Sequence, residues 1–301
     1  VEIIAFSFEQ TFICKKKGEA MATKEKRKLK DLNLLDKFLF DEAMEDEENM
    51  KTLLDIILGQ DTHLKQPPQT EKECRSSFEK RQIRLDVYTV DEDDVVYDTE
   101  PQKTNTKNLP KRSRLYQGMI DSRLLPPGCI DFNLLNPVVI IMIMPFDLFG
   151  YELYRYTFKM QCEEVPEMEL GDDATRIFLN SHGKHPELVS RELIELLEYM
   201  EKSTDAVVEE CESERIHQMH ERVNRLKSSK EMEIKFMQKW EEKEMERQEA
   251  YAEGREEGER VGEARINKLI VYLLEQGRNK DLAKAVSDSE YQAKLLKELG
   301  L

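Results

Sequence analysis

The sequence has no apolar run of about 18 residues, the length that a membrane-spanning helix needs. Its longest apolar stretch, PVVIIMIMPF at positions 137–146, is short and rich in β-branched residues, which is typical of a buried strand. A phosphate-binding P-loop and a dinucleotide-binding glycine fingerprint are also missing. The sequence therefore predicts no membrane partner and gives no indication of a nucleotide-dependent enzyme.

Cysteine is scarce as well. The five cysteines are scattered and form no CxxC pair. An odd number at such spacing indicates reduced thiols, as in a cytosolic protein. The five histidines include two close pairs, but no cysteine or acidic cluster completes a zinc set. We therefore expect a cytoplasmic protein whose histidines lie in loops and on the surface.

Charge is abundant and unbalanced. Asp and Glu number 62 against 46 Lys and Arg, so the formal net charge is −16. A chain of this charge repels nucleic acid as a whole, so a nucleic-acid site would need a local basic patch and the help of metal ions. A charged fraction of 36% also predicts long solvated helices beside an ordinary core.

The hydrophobic pattern divides the chain into mixed and helical parts. Residues 31–58 have helical spacing, as one broken helix or two, with Asn49 as a candidate cap and Gly59 as the stop. Strands are predicted at 83–90, 95–102, 138–144, 151–159 and 175–180, and a helix at 112–125. The predicted divisions are an extension (1–27), a mixed α/β domain (28–185), a coiled-coil-like helical region (186–250), a Gly/Glu-rich linker or helix (251–265) and a small helical tail (266–301).

The two strands IRLDVYTV and VVYDTEPQ, joined by an acidic turn, carry the most informative pattern. A hairpin centred near Asp93 places Asp86 directly across from Glu100, with Gln102 on the same face. Cross-strand neighbours on one face lie about 5 Å apart at Cβ. Two carboxylates and an amide are therefore predicted to gather on one side of the hairpin.

Two interpretations of this acidic pair remain open. Carboxylates at such a distance raise each other's pKa unless a cation lies between them, and Mg²⁺ binds through one or two carboxylates together with substrate phosphate. Such an ion could activate water for phosphodiester hydrolysis. The alternative is a solvated acidic edge of the hairpin, because the turn at 91–94 is acidic too.

A basic segment follows the carboxylates directly. Between positions 101 and 125 there is one acid, Asp121, and the basic residues are Lys103, Lys107, Lys111, Arg112, Arg114 and Arg123. This is the clearest basic segment in an acidic chain. We expect Lys103, Lys107, Lys111, Arg112 and Arg114 to contact a DNA backbone if the carboxylates form a nuclease site.

The order of these elements resembles the PD-(D/E)XK phosphodiesterases, whose αβββαβ core carries an Asp on the second strand and (D/E)-x-K on the third. More narrowly, the phrases RLDVY, YDTEPQK, NLPKRSRLYQGMIDS, MPFDLFG, YRYTF and ATRIFLN are similar to a bacterial family of recombination-promoting nucleases and transposases. The likeness covers roughly residues 28–250. It implies an α/β fold of the restriction-endonuclease type, with a mixed sheet flanked by helices and a long helical C-terminal region.

The resemblance also implies roles for individual residues. Asp86 and Glu100 would hold Mg²⁺ or Mn²⁺, and Gln102, in place of the usual lysine, would position water without supplying charge. Tyr116 and Gln117 match a recurring YQ phrase, with a supporting role and a packing role equally open.

The first helix of this superfamily sometimes adds an acid, for which Asp36 and Glu42 are candidates, although a solvated helix face also explains them.

The family motif normally has an apolar residue where this chain has Pro101. Because proline lacks an N–H group, it is tolerated mainly at strand edges and ends. We therefore expect the third strand to be shortened or bulged there.

The function expected from the sequence is a metal-dependent DNA endonuclease of the bacterial cytoplasm, acting in recombination or transposition. Two alternatives stay open: a DNA-binding or assembly protein that has lost catalysis, and a helical interaction protein acting through residues 205–301. Under all three, the C-terminal helices are expected to drive self-association.

Overall fold

The computed structural model of the protein describes residues 27–74, 83–125 and 127–300, and the extension predicted at the N-terminus lies outside this range except for its last residue. The helices are α1 (Lys37–Met44), α2 (Glu47–Leu58), α3 (Leu109–Leu124), α4 (Arg191–Glu201), α5 (Asp205–Val208), α6 (Glu214–Ser228), α7 (Lys230–Glu275), α8 (Asn279–Ser287) and α9 (Ser289–Glu298). The strands are β1 (Gln69–Cys74), β2 (Ile83–Val90), β3 (Val96–Pro101), β4 (Val138–Met144), β5 (Arg155–Phe158) and β6 (Ala174–Asn180).

The six described strands form one mixed sheet in the order β1-β2-β3-β4-β6-β5. The pairs β1–β2, β2–β3 and β5–β6 are antiparallel, whereas β3, β4 and β6 run parallel. Strand β4 lies at the centre, and six of its seven residues are buried. Its continuous apolar sequence follows from this position, because a parallel strand covered on both faces has no solvent side. The predicted α/β fold of the restriction-endonuclease type is confirmed.

The hairpin of β2 and β3 is held at its turn by Asp91. The Oδ1 atom of this residue accepts hydrogen bonds from the N–H groups of Asp93 (3.0 Å) and Val95 (2.9 Å). Asp94 takes a left-handed conformation with φ of 62°. Short polar side chains that bond the backbone just beyond them favour such turns. The acidic turn is therefore a structural device that sets the register of the two strands.

The N-terminal region forms two helices, the second of the two arrangements that the sequence left open. Asp46 caps α2, since its side chain accepts from the N–H of Asn49 at 3.0 Å. The expectation that Asn49 is the cap is therefore wrong, because Asn49 lies inside the first turn. Gly59 ends α2 with φ of 71°, as predicted, a conformation that glycine adopts without steric cost.

Helix α3 packs against the sheet face that carries Asp86 and Glu100. Its buried Leu109 and Ile120 join the apolar cluster of Tyr88, Ile140 and Met142. The helix begins at Leu109, before the predicted position 112, because Pro110 fits the first turn, where its missing N–H is not needed. Burying side chains of this size contributes about 1.5–3 kcal/mol each and fixes the helix above the hairpin.

The C-terminal helices belong to two compact units that divide between Glu233 and Ile234. In the first unit, Ile216, Met219 and Val223 of α6 are buried. Helix α6 packs against α1, α2 and α4, so this stripe belongs to the core of the unit rather than to a coiled-coil seam. The segment 251–265, predicted as linker or helix, lies within α7.

The second unit has a small core of its own, formed by Leu269, Leu273, Ala285 and Leu295. These residues come from the end of α7 and from α8 and α9, which pack on one another. Within the described part of the chain, no helix combines the length and apolar character needed to cross a membrane.

Candidate functional site

The hairpin brings Asp86 of β2 and Glu100 of β3 together. The β2–β3 ladder ends with the pair Val87–Thr99, and the same register continued by one residue places Asp86 opposite Glu100. The backbone N–H of Asp86 donates to Glu100 Oε1 at 2.9 Å. Both residues are buried, with exposed fractions of 6% for Asp86 and 1% for Glu100. The pair that the alternating pattern predicted is thus an enclosed site rather than a solvated edge.

Each of the two carboxylates has a protein cation beside it. The ammonium group of Lys37, on α1, contacts Asp86 Oδ1. The guanidinium of Arg112, on α3, donates to Glu100 Oε2 at 2.8 Å. These contacts join residues 49 and 12 positions apart in the chain, so they depend on how the two helices pack. Lys37 was not among the residues that the sequence singled out.

A third acid, Asp41, contributes from the first helix. Its Oδ2 atom lies 3.2 Å from Lys37 Nζ, and only 2% of the residue is exposed. The two candidates from the sequence, Asp36 and Glu42, occupy other positions in this region. Asp36, before the helix, pairs with Arg27, and Glu42 is buried one position beyond Asp41. The i, i+4 spacing of Lys37 and Asp41 is the signal that could have identified Asp41.

A fourth acid, Asp98, lies on the same face of β3 two residues before Glu100. The cross-strand partner of Asp98 is Tyr88, and the side chain of Asp98 is fully buried. Within the described residues, no group donates a hydrogen bond to either of its oxygens. Burial, followed by the charges of Glu100 and Asp86, raises the pKa of Asp98 well above its ordinary value. This shift favours the protonated, neutral form of the Asp98 carboxyl.

The other carboxyls of the site are also difficult to ionise. Burial, and next the Asp86 carboxylate, raise the pKa of Glu100 to about 8, although Arg112 lowers it. Burial raises the pKa of Asp86 too, against the lowering effect of Lys37. Burial raises the pKa of Asp41 to about 7. The cations already present therefore do not offset the cost of keeping these acids charged out of water.

Gln102 and Pro101 lie at the end of β3 beside the pair. Gln102 Nε2 is 3.5 Å from Glu100 Oε2, close enough to orient a group there. The backbone N–H of Gln102 donates to the carbonyl of Ile143 on β4 at 2.8 Å. Along a strand, the backbone nitrogens of successive residues face opposite neighbouring strands. Because the Gln102 nitrogen faces β4, the Pro101 nitrogen faces β2, at a position beyond the last paired residues of β2 and β3. The proline thus leaves the contacts of Glu100 intact.

The predicted DNA-binding residues separate into two groups. Arg112 is bound to Glu100, and Lys103 Nζ lies 2.7 Å from Asp36 Oδ2. Lys107, Lys111 and Arg114 are exposed, and in the described parts of the chain none of the three forms an ion pair. Lys111 and Arg114 line a shallow surface cleft of about 420 Å³ on the outer face of α3. Those three residues are available for phosphate contacts.

Tyr116 and Gln117 point in different directions from α3. The pKa of the Tyr116 phenol is raised by burial and next by Glu100, which places the ring at the carboxylate site. The Arg112 guanidinium lies 5.3 Å from the centroid of this ring. Gln117 instead accepts a hydrogen bond from Arg176 of β6. Tyr116 therefore borders the site, whereas Gln117 fastens the helix to the sheet.

The donor set suits a hard divalent cation bound through few protein ligands. In the portion of the chain that is described, no three His, Cys, Asp or Glu side chains are arranged to enclose a metal ion. Mg²⁺ does not need such a cage, because it retains waters and takes one or two carboxylates with substrate phosphate. Asp86 and Glu100 meet that requirement, and Asp98 lies on the same face with no hydrogen-bond donor to its carboxyl oxygens among the described residues.

Comparison with known proteins identifies one family. Residues 36–254, well over half of the chain, match the family described as PD-(D/E)XK nuclease family transposase. No curated protein and no solved structure matches the chain. The matched range contains the whole sheet, the carboxylate site and the basic helix, so it agrees with the resemblance recognised in the sequence.

Proposed function

Because the chain belongs to the PD-(D/E)XK nuclease family transposases, we propose that it is a metal-dependent DNA endonuclease associated with recombination or transposition. The observation that carries the proposal is the buried pair of Asp86 and Glu100, whose ionisation only an additional cation would relieve. The proposed reaction is hydrolysis of a phosphodiester bond in DNA. The proposed location of the protein is the bacterial cytoplasm, with access to the nucleoid.

Asp86 and Glu100 would hold Mg²⁺ or Mn²⁺. When bound, such an ion supplies Lewis-acid stabilisation of charge on the phosphate oxygens. Gln102, at 3.5 Å from Glu100, would orient water or phosphate through its amide, because a glutamine has no charge to offer. Tyr116 and the apolar side chains under α3 exclude bulk water from one side of the pair.

The exposed cations of the α3 region support DNA as the substrate. The whole chain has a formal net charge of −16, so any attraction to DNA must come from a local group of cations. Lys107, Lys111 and Arg114 would provide that attraction, because all three are exposed and none forms an ion pair within the described residues. The C-terminal helices are proposed to form an oligomer, which suits an enzyme that cuts both strands of a duplex.

The test is incubation of the purified protein with supercoiled plasmid in Mg²⁺, in Mn²⁺ and in EDTA. We expect nicking that requires the metal and falls at least about 100-fold in Asp86→Asn, as expected for loss of a group that binds the reaction centre. The control is Glu198→Gln, which changes an exposed carboxylate on α4 and should cut like the wild type. Equal cutting in EDTA, or by Asp86→Asn, contradicts the proposal.

The second candidate is a DNA-binding or assembly protein without catalysis. The contacts of Lys37 with Asp86 and of Arg112 with Glu100 favour it, because both metal candidates already have a protein cation. This candidate predicts that DNA is retarded in gels by the wild type and by Asp86→Asn alike, with no metal-dependent cutting by either. The same plasmid experiment therefore separates the two functions.

A further inference from the structure

Replacement of the motif lysine by Gln102 leaves β3 without a positive charge at the carboxylate pair. Two cations reach that pair from other elements, Arg112 from α3 and Lys37 from α1. Arg112 has 24% of its side chain exposed and is bound to Glu100 beneath Tyr116. Lys37 differs, because 41% of its side chain is exposed while its ammonium group contacts a buried acid. Its flexible four-carbon stem can move without disturbing the core.

The start of α1 is fastened so that Lys37 faces the site. Lys37 is the first residue of the helix, directly after Asp36. The Asp36 carboxylate accepts a hydrogen bond from the N–H of Asn33 at 3.1 Å and pairs with Lys103 at 2.7 Å. Lys103 follows Gln102 in the chain, so this ion pair ties the start of α1 to the end of β3. The ammonium group is thereby held beside the residue that lacks a charge.

Among the described residues, the ion-pair partners of the Lys37 ammonium group are two acids, Asp86 and Asp41. Its amine contacts Asp86 and lies 3.2 Å from Asp41, and Glu100 lies behind Asp86. A divalent cation bound to Asp86 would occupy the place that the ammonium group holds. Two cations on one carboxylate oxygen repel each other, so the binding of one must move the other.

We propose that Lys37 is an exchangeable cation of this site. In the metal-free protein it neutralises Asp86, and when a divalent ion takes Asp86 the ammonium group turns toward the substrate phosphate. It then supplies the positive charge that Gln102 does not. The contact of Lys37 with substrate phosphate rests on the proposed nuclease function. The competition between Lys37 and a divalent ion for Asp86 does not, because it needs no DNA.

The first experiment measures Mn²⁺ binding by isothermal titration calorimetry without DNA. Lys37→Met removes the ammonium group and keeps the stem, so we expect Mn²⁺ affinity to rise at least about 10-fold, as for loss of a close like charge. Lys37→Arg keeps the charge and should bind Mn²⁺ no more tightly than the wild type. The control is Lys51→Met, which removes a comparable contact with a buried acid, Asp55, away from the site. Circular dichroism checks that each variant is folded.

The second experiment measures plasmid cutting at saturating Mn²⁺. We expect Lys37→Met to lose about 100-fold in kcat with little change in KM, and Lys37→Arg to recover part of the loss. Unchanged or weaker Mn²⁺ binding by Lys37→Met overturns the exchange, whatever the cutting assay shows. If binding tightens but the wild type cuts no DNA, the exchange stands and the nuclease function fails. If the wild type and Lys37→Met cut equally, the catalytic role of Lys37 is refuted while the nuclease function stands.

Discussion

Glu100 is predicted to reduce the stability of the metal-free protein as the pH rises. Burial and the Asp86 carboxylate raise its pKa to about 8 from an ordinary 4.5. Between these values the unfolded chain releases the proton and the folded chain keeps it, so the folded state loses stability as pH increases. One pKa unit corresponds to 1.36 kcal/mol, which gives a loss of about 3 kcal/mol at pH 7. Because only 1% of Glu100 is exposed, solvent does not screen this effect.

Glu100→Gln removes this proton uptake and keeps an oxygen for the N–H of Asp86. The free energy of unfolding of the variant, relative to the wild type, should therefore improve by about 3 kcal/mol between pH 4.5 and pH 7. Any constant cost of placing an amide beside Arg112 cancels in this difference. The measurement is urea unfolding followed by circular dichroism, in EDTA, at a series of pH values.

Glu198→Gln serves as the control, because that exposed carboxylate should change stability by less than about 0.5 kcal/mol. A relative stability of Glu100→Gln that is constant with pH, or that falls as the pH rises, would refute the reasoning. Such a result would mean that the folded protein holds Glu100 as an anion and that its ion pair with Arg112 outweighs burial.

Three further outcomes are expected. Asp98→Asn should gain stability relative to the wild type in urea unfolding as pH rises from 4 to 7, because burial raises the pKa of Asp98 and the folded state therefore holds its proton more tightly than the unfolded chain. Lys111→Gln with Arg114→Gln should weaken DNA binding and reduce the slope of log affinity against log salt by about two, measured by fluorescence anisotropy. Pro101→Met should cost about 0.4–1 kcal/mol by making the unfolded chain more flexible, and should leave plasmid cutting unchanged.

Each of these outcomes has a result that would contradict it. Asp98→Asn losing stability at pH 7 would show that Asp98 is charged and held by a partner. The control for the basic pair is Lys159→Gln with Lys184→Gln, which changes exposed lysines that already pair with acids. An equal loss of DNA affinity in the control would mean that the attraction is not local to α3. Increased cutting by Pro101→Met would show that the proline misdirects Glu100.

The hairpin of β2 and β3 is an example of structure that the sequence alone predicted. Alternation of apolar and polar residues and the acidic turn predicted β2 as Ile83–Val90, which the structure has, and placed Asp86 across from Glu100. Strand β4 was predicted equally well, because a short apolar run rich in β-branched residues is typical of a buried strand. Local periodicity and turn chemistry specify such features because they act between residues that are near in sequence. The ends of α3 and β5 were less accurate, because packing decides where an element stops.

The family and the α/β fold were therefore recognisable from the sequence by itself, as were the carboxylate pair and the basic segment beside it. Only the tertiary structure decided which charges meet. It brought Lys37 and Asp41 to Asp86, and it turned Lys111 outward while Arg112 faced Glu100. It also buried Asp98 with no hydrogen-bond donor among the residues that the structure describes. Burial and distance between remote segments set these contacts and the ionisation of the acids, and no pattern within a short stretch of chain contains that information.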